Sequence, residues 1–131
     1  YQVAKMSFEK GFPRSAYVGS CALITVVHNN KLYVANAGDC KACLLRKTPD
    51  GNYQRIKLSK TFNANKKYEQ ERLKNAFKGE KDIIVCKGEG ACYVKGNLMP
   101  TRAFGDLRLK KPEFNFHNFS HELGYRMPIP Q

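Results

Sequence analysis

Two aspartates in this chain follow a glycine at a sharp junction, Gly38-Asp39 and Gly105-Asp106. Glycine accepts the positive φ and the close backbone approach that such a bend requires, and a short carboxylate just beyond it is held in a fixed direction. A hard divalent cation such as Mg²⁺ or Mn²⁺ takes oxygen ligands on rigid supports, so both aspartates are candidates for that chemistry. Each pair alone carries little weight, because an Asp beside a Gly usually only caps a turn. Other candidates fall faster. His117 and His121 stand four apart, the spacing of two ligands on one helical face, but no Glu adjoins His117 and no third ligand is evident. His28 ends a strand beside a turn. Cys40-x-x-Cys43 lies in an apparent strand, where residues three apart point to opposite faces, and no second pair at zinc-ribbon spacing follows it. There is no Gly-x-Ser-x-Gly elbow, and Gly88-x-Gly90 opens no helix that could cradle a phosphate.

The elements that must position these residues are mostly strands. Gly19 to His28 is apolar and β-branched, as expected of a strand buried on both sides. Asn29-Asn30 is a hairpin turn signal, and Lys31 to Ala37 supplies the returning strand. Gly38-Asp39 interrupts it before Cys40 to Arg46 continues. The cluster Thr48 to Asn52 contains the Pro, Asp and Gly that a reversal uses, and Tyr53 to Leu58 alternates like a half-exposed strand. Four such strands on short connections predict an antiparallel meander. The period then changes: Lys66 to Phe77 predicts a helix with Asn65 at its N-cap and Glu69, Leu73, Ala76 and Phe77 on one face. Gly79 ends it. Asp82 to Lys87 and Ala91 to Lys95 read as a second hairpin about Gly88-Glu89-Gly90. Residues 111–131 are irregular and rich in aromatics, which need a surface to bury against.

Bulk composition sets limits. The 131 residues carry 42% hydrophobic and 26% charged side chains, a globular balance rather than a disordered one. Lys and Arg number 23 against 11 Asp and Glu, for a formal charge of +12. Such an excess suits an acidic partner, yet the basic residues are spread from Lys5 to Arg126 without a dense block, as on a solvated surface. A nucleic-acid partner would use Phe114, Phe116 and Phe119 as stacking platforms, but no recognition motif accompanies them and that reading is not favoured. No apolar run approaches the ~20 residues of a membrane span, so no membrane partner is expected. Five cysteines, an odd number without regular spacing, argue against a disulfide scaffold and for a reducing compartment. The expected location is intracellular, cytoplasmic or nuclear, with a mitochondrial one left open. The chain starts at Tyr1 without an initiator Met, as if cut from something longer.

Placed in order, the segments gain meaning. Leu32 to Ala42 (LYVANAGDCKA) resembles the "LYVANxGDSRA" stretch of the metal-dependent protein serine/threonine phosphatases of type 2C. Gly19-Ser20-Cys21-Ala22 resembles the family's "GSTA", Leu58-Ser59 stands where it has "LSxDH", Glu69 to Leu73 resembles its "E..RI" helix, and Thr101 to Asp106 resembles "SRAFGD". Order and spacing agree from Gly19 to Lys110. Leu98 to Asp106 is also similar to the pyruvate dehydrogenase phosphatase branch.

The resemblance implies an α+β fold, an antiparallel β-sandwich flanked by helices and incomplete in this chain, with residues 1–131 forming the central part of a single phosphatase 2C-like domain. It implies Mg²⁺ or Mn²⁺ as cofactor, a metal-activated water as nucleophile, and a phosphorylated protein as substrate. Asp39 is the implied metal ligand; Gly38, Arg102, Gly105 and Asp106 border the site and organise it. The family's principal ligands, in "DGHGG", "DGxWD" and "DN" segments, are absent here, as is its phosphate-gripping arginine. No catalytic residue is therefore expected within this chain, and the chain alone is expected to be inactive. Thr61-Phe62 replaces the "DH" pair, which supports an alternative: a catalytically degenerate phosphatase-like binding or regulatory module. These residues do not set the oligomeric state.

Overall fold

A computed structural model describes residues 1–88 and 90–114. Contacts divide the chain into two compact units, one containing residues 1–20 and 103–114 of those described, the other residues 21–102.

In the first unit α1 (Gln2–Glu9) turns its one buried residue, Phe8, toward Ala16 in the 3-10 turn Pro13–Ala16 and toward Phe114. The Phe8 and Phe114 rings meet edge to face at 5.2 Å, and Tyr1 approaches Phe114 the same way at 5.9 Å, the geometry that ring quadrupoles favour. Burying Phe114 contributes about 2–3 kcal/mol. It is the first aromatic of the C-terminal cluster, and its burial surface lies inside this chain; Phe116, Phe119, His117 and His121 lie outside the described residues. A strand pair closes this unit: β1 (Gly19–Ser20) runs antiparallel to β8 (Phe104–Gly105), with Gly19 opposite Gly105. Two short motifs 84 or more residues apart in sequence thus become one strand pair.

The second unit consists of hairpins and one helix. β2 (Ala22–His28) pairs with β3 (Lys31–Ala37), β4 (Cys43–Lys47) with β5 (Tyr53–Lys57), and β6 (Ile84–Lys87) with β7 (Ala91–Val94), all antiparallel. Asn29 and Asn30 sit at φ 47° and 56°, the left-handed turn that the sequence called for. The fold is α+β and antiparallel throughout, as expected. Three details differ. The long first strand is broken at Cys21, its first two residues belonging to β1. The four-strand meander is two separate hairpins, because the chain between Ala37 and Cys43 is taken up by the Gly38-Asp39 bend and no rungs join β3 to β4 among the described residues. β2 is also not buried on both sides: Ile24 is 60% exposed and Val27 77%, since a two-stranded sheet offers each strand a single neighbour and no layer covers its faces among the described residues.

α2 (Lys67–Ala76) begins one residue later than predicted, with Lys66 rather than Asn65 at its N-cap. Asn65 is engaged elsewhere: its Oδ1 accepts the backbone N–H of Cys92 at 2.7 Å. Glu69 and Leu73 do share the buried face. Cys86 and Cys92 stand opposite each other across β6 and β7 and are disulfide-bonded. The odd cysteine count missed this pair, because a hairpin brings together two residues only six apart. Cys92 is buried, whereas Cys43 and Cys86 are exposed. The bond also removes the cysteine count as an argument about compartment. Lys95, at φ 49° and 2% exposed, closes the hairpin by ion pairs to Glu80 and to Asp82, the latter at 2.7 Å.

Candidate functional site

β3 ends by running into a turn that only glycine can make. Gly38 has φ 119°, and a Cβ there would stand 2.3 Å from Cys21 Sγ. Both conditions exclude a side chain. Asn36, the last polar residue of β3, holds the turn from inside: its Nδ2 lies within hydrogen-bond distance of the carbonyl oxygens of Gly38 (3.1 Å), Cys40 (3.0 Å) and Lys60 (2.8 Å). Phe62 adds a backbone bond, its N–H donating to Gly38 O at 2.9 Å.

Asp39 leaves this turn half-buried with both carboxylate oxygens engaged. Asn63 Nδ2 donates to Oδ2 at 2.9 Å, and the Cys21 thiol, a weak donor, lies 3.6 Å from Oδ1. Burial, with the Asp39 charge adding to it, pushes the Cys21 thiol up. It is thus held as a neutral S–H rather than as a reactive thiolate.

The segment after β5 ties this turn to the "TRAFGD" motif. Thr101 N–H donates to Phe62 O at 2.9 Å, and Ala64 N–H donates to Met99 O at 2.8 Å, so residues 62–64 run antiparallel to 99–101. Phe62 therefore bonds to Gly38 on one side and Thr101 on the other. Its ring lies beneath the Arg102 guanidinium at 4.2 Å, with Lys60 Nζ at 5.9 Å from the same ring and 4.3 Å from that of Tyr68. An aromatic face under a cation is attractive by about 0.5–1 kcal/mol at exposed sites. This is how the chain accommodates an aromatic where its resemblance predicted a histidine. Glu69, fully buried, accepts bonds at Oε2 from Arg72 Nε (3.0 Å) and Nη2 (2.8 Å) and from Thr101 Oγ1 (2.6 Å).

Gly105 and Asp106 fall in the first unit. Gly105 has φ 71°, and a Cβ on it would meet Val18 O at 2.2 Å. Asp106 adopts the left-handed conformation at φ 50° and donates its backbone N–H to Val18 O at 2.8 Å. A Cβ on Gly19 would stand 2.0 Å from Asp106 Oδ2, so Gly19 is the seat of that carboxylate. Burial pushes the Asp106 carboxyl up, partly offset by the charges of Lys110 and Arg108.

The structure thus gathers Gly38, Asp39 and Arg102 around Phe62, and Gly105 and Asp106 around Gly19. Asn36, Asn63 and Cys21 were not foreseen as parts of the site. An Asn closing an apolar strand just before a glycine was the available signal for Asn36; Asn63 offered none. Carboxylate oxygens are hard donors, and each Asp39 oxygen keeps acceptor capacity beyond its hydrogen bond to Asn63 or Cys21 among the described residues, so Asp39 fits as one ligand of Mg²⁺ or Mn²⁺. A cluster of three or more His, Cys, Asp or Glu side chains does not occur among the described residues. Among the described residues, the donor offered at this bend is one carboxylate.

Antiparallel hairpins meeting at a glycine-borne aspartate, with "GS" of one motif paired to "FG" of another, describe a phosphatase 2C-like domain. The protein phosphatase 2C family model matches residues 2–125, and the chain belongs to that family. It is similar to probable protein phosphatase 2C 42 of Arabidopsis thaliana, 34% identical over 117 residues that cover 89% of this chain and 30% of the relative. It is similar also to probable protein phosphatase 2C 64 of the same plant, at 40% over 120 residues, 89% of this chain and 29% of that protein. Probable protein phosphatase 2C 78 of Oryza sativa subsp. japonica is 38% identical over 104 residues, 78% of this chain and 26% of that protein. The chain therefore spans less than a third of the length of these curated relatives.

Proposed function

We propose that this chain is the central segment of a Mg²⁺- or Mn²⁺-dependent protein serine/threonine phosphatase, to which it contributes one metal ligand, Asp39. The observation that carries this reading is the Asp39 carboxylate, fixed on a glycine bend and oriented by Asn63 at 2.9 Å, in a chain whose family match covers residues 2–125. The bound metal would supply an activated water to attack a phosphoserine or phosphothreonine ester. The chain's own part is to hold Asp39 in place; the remaining ligands and the phosphate-binding group come from sequence beyond it. The substrate is a phosphorylated protein.

The test uses the full-length protein that contains this segment. Mn²⁺-dependent hydrolysis of a phosphothreonine peptide is expected, with Asp39→Asn raising the Mn²⁺ requirement, while the 131-residue chain alone gives no turnover. Turnover by the short chain, or an Asp39→Asn variant with unchanged Mn²⁺ dependence, would overturn the reading. A second reading, a phosphatase-like binding module without catalysis, is favoured by Phe62 beneath Arg102 where the "DH" pair was expected. It is supported if the full-length protein binds phosphopeptide without hydrolysing it.

A further inference from the structure

Asp39 is held at one end of a hydrogen-bonded path that runs away from the bend. Asn63 Nδ2 donates to Asp39 Oδ2 at 2.9 Å, and Asn63 Oδ1 accepts the backbone N–H of Asn65 at 2.9 Å. Asn65 Oδ1 in turn accepts the backbone N–H of Cys92 at 2.7 Å. Cys92 is buried in β7 and cross-linked to β6 through Cys86. Asn63 is 8% exposed and its backbone is bridged to Pro100. Both ends of its side chain and its main chain are therefore committed. An amide so fixed can present only its N–H₂ to Asp39, because its oxygen is occupied by a donor. Of the two groups on the Asp39 carboxylate, the thiol at 3.6 Å is the weaker and Asn63 sets the direction.

We infer that Asn63 is a positioning residue for the metal ligand: it fixes the direction of the Asp39 carboxylate by holding Oδ2, and takes its own orientation from Asn65 and the disulfide-linked hairpin. The inference rests on the reading of Asp39 as a ligand. A partner that orients a ligand changes metal affinity by roughly 10-fold or more when removed, and this one does so without touching the ion.

The test is Mn²⁺ binding by the full-length protein, followed through the resonance signal of the free ion, for wild type, Asp39→Asn, Asn63→Ala and Asn63→Asp, with thermal melts of each. Asn63→Asp keeps the acceptor for Asn65 and the shape of the side chain, but turns a carboxylate oxygen toward Asp39 Oδ2. Two facing carboxylates repel each other, so Oδ2 is no longer held and the Mn²⁺ affinity of this variant should depart from the wild-type value by roughly 10-fold. Asn63→Ala should weaken Mn²⁺ binding roughly 10-fold. A purely structural Asn63 would lower the melting temperature and leave Mn²⁺ affinity as in the wild type, which overturns the inference. If Asp39→Asn binds Mn²⁺ as the wild type does, or the wild type binds none, the reading of Asp39 fails first. If Asp39→Asn weakens binding and neither Asn63 variant does, only the role of Asn63 is lost.

Discussion

Thr101 donates its hydroxyl to Glu69 Oε2 across 2.6 Å, joining the "TRAFGD" segment to a helix 32 residues earlier in the chain. Glu69 is completely buried, and the second oxygen of its carboxylate, Oε1, has no hydrogen-bond partner among the described residues. Burial opposes its ionisation, but the bonds from Arg72 and Thr101 outweigh that cost and hold the carboxyl below its ordinary range. Between the folded and unfolded pKa values the unfolded chain binds more protons, so stability rises with pH across that window. It is fully present above the unfolded value, about 4.3, and is lost as pH falls through the folded one. Thr101→Val should lower unfolding free energy by about 1.5–3 kcal/mol at neutral pH. Urea titrations below about pH 4.3 should show a flatter acid slope in Glu69→Gln than in the wild type.

Gly19 and Asp106 should be coupled. Gly19→Ala places a Cβ 2.0 Å from the Oδ2 of Asp106, a residue only 8% exposed, and is expected to destabilise by about 1–3 kcal/mol. Shortening Asp106 to Gly, which also suits φ 50°, should relieve most of that penalty in the double variant. Additive losses in thermal melts of the four proteins would refute the contact.

Asp106→Asn separates charge from conformation. Asn tolerates the left-handed region as Asp does, so the backbone is kept. Because burial raises the Asp106 carboxyl, its favourable contribution is present below the unfolded pKa and is lost as pH rises through the folded one. Asp106→Asn should therefore gain on the wild type as pH rises through that window. Asp106→Ala should lie about 1–2 kcal/mol below Asp106→Asn at every pH, since neither side chain titrates. Denaturant midpoints across pH provide the measurement.

Reducing Cys86–Cys92 opens a short covalent loop. The chain-entropy relation gives about 2 kcal/mol for a loop of this length. A dithiol reductant should lower the unfolding midpoint accordingly and speed hydrogen exchange at the Cys92 amide, which Asn65 accepts. Cys86→Ser/Cys92→Ser should show the same shift without reductant.

Asn36→Asp should cost more than Asn36→Ala. The amide nitrogen faces three carbonyl oxygens at 2.8–3.1 Å, and a carboxylate in its place offers them no donor. About 2 kcal/mol or more is expected from Asn36→Asp at neutral pH, read as a fall in the denaturation midpoint that acidification partly restores. The three carbonyls meet at the Gly38-Asp39 turn, so this substitution should also impair whatever Asp39 binds.

Much of the local structure is written in single residues. Asn29-Asn30 specified its turn because its two side chains tolerate positive φ. The alternation of Tyr53 to Leu58 specified a strand, and the helix about Glu69 to Leu73 followed from its period. The order of the short motifs named the family without any coordinates. What the sequence left open was every relation between distant segments. It did not show that Gly19 pairs with Gly105, or that Phe62 bonds to both Gly38 and Thr101. It misplaced Asn65 as a helix cap because the competing donor, the Cys92 amide, lies 27 residues away. Propensity and period act over a few residues, whereas burial and hydrogen-bond satisfaction act between neighbours in space. The Gly38-Asp39 bend was therefore visible from the start, but the partner that aims its carboxylate, Asn63, was decided by the tertiary structure alone.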